Sequence, residues 1–268
     1  MKVNSEDLLY RHIKDLPYFR GFLRAIESRF YAGLKLEEPI LDLGCGDGHF
    51  AEVTFSDGID VGLDPWHGPI HEAGKRKMYL HLAEAQGSAM PFADQYFGSC
   101  ISNSVLEHIE NLDPVLYEAN RVLRTGAYFV FCVPNQRFLT SLSVSNFFDR
   151  IGMKALGNVY RNFFNKISRH HTCESQADWA IRLGKAGFEI ENAWDYFSPR
   201  SFHKLEWGHY FGLPSLMIHW LTRRWNLVDA RWNFAFLINY LSDAFDESIP
   251  QPEGVYTFYV TRKMRQND

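Results

Sequence analysis

Ile40-Leu-Asp-Leu-Gly-Cys-Gly-Asp-Gly-His-Phe50 is the stretch that decides how this chain folds. An apolar run leads into glycines at the alternate positions 44, 46 and 48, and an acidic residue, Asp42, stands two places before the first. Glycines so spaced let the backbone turn sharply and approach a ligand with no Cβ in the way. A helix expected to begin near Gly48 would aim its free N–H groups at a negative group there. The run therefore predicts a strand, a ligand-holding turn and a helix. The related G-x-G-x-x-G spacing needs its third glycine at position 49, where this chain has His49.

Outward from this turn, further segments follow in order. Gly58-Ile-Asp-Val-Gly-Leu-Asp64 reads as a second strand that Pro65 stops, and its terminal acid lies 20 residues past Gly44. A carboxylate at the end of such a strand can accept both hydroxyls of a ribose. Gln86-Gly-Ser-Ala-Met-Pro-Phe-Ala-Asp-Gln-Tyr-Phe97 is a loop leading to another strand around Ile101. Leu116-Tyr-Glu-Ala-Asn-Arg-Val-Leu-Arg-Thr-Gly126 is a helix and a glycine before the apolar strand 127–133. Strands alternating with helices predict a parallel sheet covered on both faces.

Across residues 38–135 this succession resembles the class I S-adenosylmethionine-dependent methyltransferases, whose first motif (E/D)-x-G-x-G-x-G is met by Asp42, Gly44, Gly46 and Gly48. Within them it is most similar to the small-molecule, ubiquinone-biosynthesis-like branch of type 11. The resemblance implies a doubly wound Rossmann-like sheet of seven strands with an antiparallel last strand, and S-adenosyl-L-methionine as cofactor. It further implies that Asp42 meets the cofactor's ammonium group, directly or through water, and that Gly44, Cys45 and Gly46 face the methionine portion. Asp64 would hold the ribose with Pro65 beside it, and Trp66 would stack on adenine. Ser88, Ala89 and Met90 would border the base, and Asn103 would sit against the methionine end. Ser88 replaces the acid usual at its position, so a hydroxyl and the Ala89 N–H would meet the adenine instead. The Asn/Asp-Pro-Pro-aromatic motif of amine and amide methylation is replaced by Asn103-Ser-Val-Leu106, which disfavours DNA bases and glutamine as acceptors.

The bulk properties narrow the partners. A net charge of −4 over 268 residues gives no basic face for nucleic acid. Cysteines 45, 100, 132 and 173 form no C-x-x-C pair, so reduced thiols in a cytoplasmic protein are expected. The polar start Met1-Lys-Val-Asn reads as the approach to a helix and not as a signal peptide. No run reaches the roughly 18 apolar residues of a spanning helix, so any membrane contact would be peripheral.

Residues 1–36 read as N-terminal helices broken at Pro17, either packed on the sheet or covering the site. A methyltransferase core is expected over 37–197 and 254–264, with strands at 188–197 and 255–261 as its closing pair. Residues 136–172 read as a mobile, partly helical stretch, and Ser175 as the N-cap of the next helix. Residues 198–253, holding four of the seven tryptophans, read as a helical aromatic insertion with helices at 215–222 and 228–241. It can serve as a cap over a bulky acceptor, as a homodimer face, or as an interfacial membrane contact through its tryptophans with Arg223, Arg224 and Arg231.

Proton transfer, where the acceptor needs it, falls to His108, paired in sequence with Glu107, or to His171 beside His170. No metal site is expected, because no carboxylate has ligand spacing to the 170–171 histidine pair. The function expected is methyl transfer to an oxygen or carbon of a small metabolite. The alternatives are a cofactor-binding scaffold without catalysis, acting through its aromatic insertion, and a nicotinamide oxidoreductase, which the residue at 49 disfavours.

Overall fold

A computed structural model describes residues 2–3, 7–222, 225–226 and 230–265. Seven strands form one sheet: β1 (Ile40–Leu43), β2 (Ile59–Asp64), β3 (Tyr79–Glu84), β4 (Phe97–Asn103), β5 (Leu123–Pro134), β6 (Phe188–Tyr196) and β7 (Tyr256–Lys263). Their spatial order is β3-β2-β1-β4-β5-β7-β6. β1 to β5 run parallel, and β7 lies antiparallel between β5 and β6. This is the doubly wound, Rossmann-like sheet with a reversed last strand that the sequence predicts. The order reverses direction at β1 and β4, and in such sheets ligands lie outside the strands' carboxyl ends at that switch point.

Period-two alternation divides the core. Ile40, Ile101, Val130, Cys132 and Phe258 face one side, while Leu41, Leu43, Cys100, Phe129 and Phe131 face the other. The first face is covered by α2 (Tyr18–Phe30), which buries Phe22, Ala25, Ile26 and Phe30 against it. The second is covered by α5 (Asp113–Val122) and α8 (Gln176–Lys185), through Leu116, Ala119, Trp179 and Leu183. α8 starts on a reciprocal cap: Ser175 Oγ accepts from the Asp178 N–H, and the Asp178 carboxylate accepts from the Ser175 N–H. Shorter helices α1 (Leu8–Ile13), α3 (His49–Thr54) and α4 (His67–Arg76) complete the first half.

Residues 136–172 are more ordered than their composition suggests. They form α6 (Ser143–Arg150) and α7 (Lys154–Ser168), and Phe138, Leu142 and Phe164 enter the first core. The segment after β6 also departs from expectation. It begins with a helix that the sequence reading passed over, α9 (Pro199–Phe211), before α10 (Leu213–Thr222) and α11 (Arg231–Phe245). Ser198 caps α9 by accepting from the Ser201 N–H, and Pro199 opens its first turn. The expected start of the last helix at 228, and Arg223 and Arg224, lie outside the described residues. α9 packs on α2, and α11 packs on α1, α2 and α9. No helix among the described residues is long and apolar enough to cross a membrane. All four cysteines are free thiols, three of them buried.

Candidate functional site

A cavity of about 860 Å³ opens at the carboxyl ends of β1, β2 and β4. Its floor is the glycine turn. Gly44 and Gly46 have φ of +81° and +55°, in the left-handed region that a side chain resists. The Gly44 and Cys45 N–H groups both donate to the Leu63 carbonyl, which ties the turn to β2. A Cβ at Gly46 would meet nothing within 4 Å, so its backbone is bared to the cavity. The helix that follows is short, and Asp47 Oδ1 already accepts its His49 N–H at 3.1 Å. One N–H of that N-terminus is therefore already capped within the turn.

At the end of β2, Asp64 reaches the same cavity. Its two carboxylate oxygens accept from the Gly46 and Trp66 N–H groups, each at 3.0 Å. These bonds fix the carboxylate in plane and leave its remaining lone pairs toward the cavity. Pro65, Ser88 and His108 also line the wall, as expected, and so does Trp66, which is 69% exposed.

Other residues singled out from sequence do not line the cavity. The Asp42 carboxylate accepts from the Tyr79 hydroxyl at 2.6 Å, and burial pushes its pKa up to about 6. Cys45 is buried, with its thiol against the Gly46 carbonyl. The Ala89 N–H, expected to face a ring nitrogen, donates to the Gln86 carbonyl instead. The Met90 N–H donates to Glu118. Asn103 is buried, and its Nδ2 donates to Glu27 Oε2 at 2.7 Å. His171 is exposed and does not line the cavity; its neighbour His170 does.

The cavity also brings in residues that sequence reasoning missed. Arg20 and Arg24, one turn apart on α2, line it, and among the described residues no ion pair is formed by either. The Arg24 charge pushes the Arg20 guanidinium down to about 10 and acts also on Asp42, Asp47 and His49 around the turn. Thus α2 covers the sheet with one face and closes the site with the other through Phe19, Arg20, Leu23 and Arg24. From α9, Leu205 and His209 reach the same space.

Facing this cationic side is a single 3₁₀ turn, Leu106–His108, just beyond β4. Donor atoms of Glu107, His108 and His170 lie within 4.8 Å of one another. Of the 170–171 histidine pair only His170 joins this group, and the fold, not sequence spacing, brings it to the Glu107 carboxyl. His108 Nδ1–H donates to the Arg169 carbonyl at 3.0 Å, so its Nε2 carries the free lone pair. Burial pushes Glu107 up to about 8 and His170 down to about 3, and enclosure also lowers His108. Near neutral pH the group is an uncharged carboxylic acid beside two neutral imidazoles. Its free imidazole nitrogen at His108 can take a proton from a hydroxyl.

Ser104 links this turn to the core. It sits at φ +53°, and its hydroxyl donates to the buried Glu27 carboxylate. Asn103 and the Tyr196 hydroxyl donate to the same carboxylate.

Comparison with known proteins bears on the same segment. Residues 41–131 match the family model described as a methyltransferase domain. An uncharacterized methyltransferase of Mycolicibacterium gilvum is 35% identical over 94 residues, covering 34% of this chain and 37% of its own. A malonyl-[acyl-carrier protein] O-methyltransferase of Legionella pneumophila is 28% identical over 143 residues, covering 49% of this chain and 50% of its own. The chain thus spans half or less of the length of these two relatives. Among solved structures, a possible histamine N-methyltransferase from Thermotoga maritima superposes with a TM-score of 0.54 at 16% identity, over 96% of this chain and 92% of that one.

Proposed function

We propose that this chain, which carries a class I S-adenosyl-L-methionine-dependent methyltransferase domain of type 11, transfers a methyl group to an oxygen or carbon nucleophile of a small metabolite. The observation that carries this reading is one cavity in which the bared glycine turn and the Asp64 carboxylate face the Glu107–His108–His170 group. Its volume lies in the range of ligand sites and suits a nucleotide-sized cofactor together with an acceptor. The cofactor fits the residues present: Gly46 leaves space where any other residue would place a Cβ, and Asp64 offers acceptors at the end of β2.

When bound, S-adenosyl-L-methionine supplies an activated methyl on sulfonium. Asp64 would accept from the ribose hydroxyls, while Pro65, Trp66 and Ser88 would border the base. Arg24 and Arg20 would hold the amino-acid carboxylate. Asp42 and Asn103 act as positioning residues, Asp42 through Tyr79 and Asn103 through Glu27. His108 Nε2 accepts the acceptor's proton, and Glu107 and His170 enclose it. The remaining work is alignment and exclusion of water, which can supply several kcal/mol without further chemistry. The O-methyltransferase named among the relatives favours oxygen over carbon.

Titration of the protein with S-adenosylhomocysteine tests the cofactor assignment, and Asp64→Ala is expected to weaken that binding by about 1–3 kcal/mol. An unchanged dissociation constant would remove Asp64 from the site. Turnover over a panel of hydroxylated and acidic metabolites separates an enzyme from a cofactor-binding scaffold, which would bind and release no methylated product. For His108, burial favours the neutral base, so the acidic limb of kcat/KM should lie below pH 6.5. His108→Gln should abolish that limb and lower kcat by about a hundredfold; an unaltered profile would leave positioning alone as the catalytic device.

A further inference from the structure

The chain displays far more large apolar surface on its accessory helices than folding requires. On α7, Leu156, Val159, Phe163 and Ile167 form an exposed stripe at three- and four-residue steps. On α10, Leu216, Met217, Trp220 and Leu221 are at least half exposed, Trp220 by 79%. The helix between them, α9, contacts both: it packs on α10, its Tyr210 hydroxyl donates to the Tyr160 hydroxyl of α7, and its Trp207 indole donates to Ser143 at the start of α6.

Along α7 the charged residues are all cations. Residues 150–173 contain Arg150, Lys154, Arg161, Lys166 and Arg169 and no Asp or Glu. Arg161 pairs with Asp149, but the other four are exposed and, among the described residues, no ion pair engages them. α10 carries no Asp, Glu, Lys or Arg. Exposed aromatic and aliphatic stripes flanked by unpaired cations are the composition of a helix lying in a membrane interface. A second copy of the same face would fit poorly, since a twofold contact would oppose like charges. Ten residues of α10 span about 15 Å, half the hydrocarbon thickness, so the helix suits lying on a bilayer and not crossing it.

We propose that α7, α9 and α10 form a platform that docks on the anionic headgroups of a lipid bilayer. The platform is continuous with the site: Ile167 and Ser168 at the end of α7, and Leu205 and His209 of α9, are cavity wall. Docking therefore sets the cavity beside the lipid surface. The inference stands on these exposed faces and does not depend on methyl transfer.

Flotation of the full chain with vesicles tests it. Binding to vesicles containing phosphatidylglycerol as about one third of the lipid should exceed binding to pure phosphatidylcholine by about tenfold and weaken with salt. Trp220→Glu with Leu221→Glu, and separately Lys154→Glu with Lys166→Glu, should each reduce it about tenfold. S-adenosylhomocysteine titration on the same variants should be unchanged, which certifies their fold and keeps this result apart from the methyl-transfer reading. No preference for the anionic vesicles, or undiminished binding in both variants, would overturn the proposal. So would sedimentation showing a dimer, in the absence of lipid, that Trp220→Glu with Leu221→Glu dissolves.

Discussion

Glu27→Ala is expected to cost about 3–5 kcal/mol of folding stability. Glu27 is fully buried on α2 and accepts from Asn103 Nδ2, the Ser104 hydroxyl and the Tyr196 hydroxyl at 2.7–2.9 Å. Alanine removes the shared acceptor and leaves three buried or half-buried donors with no replacement, together with a cavity. Burial pushes the carboxyl up from its ordinary range despite those bonds, so the group opposes its own ionisation and the network is held by geometry more than by charge. Glu27→Gln keeps the volume and one carbonyl oxygen, and the two hydroxyls can reorient, so its cost should be well under half that of alanine. Urea midpoints of the two variants measure the difference. A loss below about 1 kcal/mol for alanine would mean that water or a rotated Asn103 satisfies the donors. Because the same carboxylate holds Ser104 in its left-handed conformation on the cavity wall, the glutamine variant should also raise KM while leaving kcat largely intact.

Glu27 marks the boundary of what the sequence discloses. β1, β2 and β5 are legible because their apolar runs end at glycine, proline or an acid, as strands buried on both faces tend to. β4, Phe97-Gly-Ser-Cys-Ile-Ser-Asn103, is instead placed by its order between the loop at 86–97 and the helix before Gly126. β3 is not legible, since as an edge strand its Tyr79-Leu-His-Leu-Ala-Glu84 run is half exposed, and the Tyr79 hydroxyl that reaches Asp42 does so across 37 residues of sequence. The same limit applies to the site. Asp64, the glycines and Ser88 follow from spacing along the chain. Arg20 and Arg24 reach the cavity only because α2 folds back over β1, although their four-residue step on the polar side of an amphipathic helix was a usable signal. His170 and not His171 enters the wall because Arg169 before it ends α7 in the left-handed conformation and turns the chain. No residue pattern reveals that phase. α9, by contrast, was announced by Ser198-Pro199, a cap followed by the proline that suits a first helical turn; Gly208, Gly212 and Pro214 obscured it.

Two alanines, two residues apart in the glycine turn, should fail in different ways. At Gly44 a Cβ would lie 2.4 Å from Val105 Cγ1 and 2.7 Å from Cγ2, and the backbone is at φ +81°. Val105 is β-branched and stiff at χ1, so Gly44→Ala adds overpacking to left-handed strain, about 2–5 kcal/mol together. At Gly46 the strain is similar in kind, but the Cβ meets open cavity, so Gly46→Ala should lose only about 1 kcal/mol. Its effect falls on the ligand, because the added methyl occupies space that the methionine portion needs. S-adenosylhomocysteine affinity should drop by tenfold or more, about 1.4 kcal/mol at least. Thermal melts and cofactor titrations on both variants separate the two failures. Adding Val105→Ala to Gly44→Ala should recover part of the lost stability, since it removes the atoms the new Cβ strikes, while Val105→Ala with Gly46→Ala should recover none. If Gly46→Ala bound the cofactor as the wild type does, the turn would be a structural bend and the ligand would lie elsewhere in the cavity.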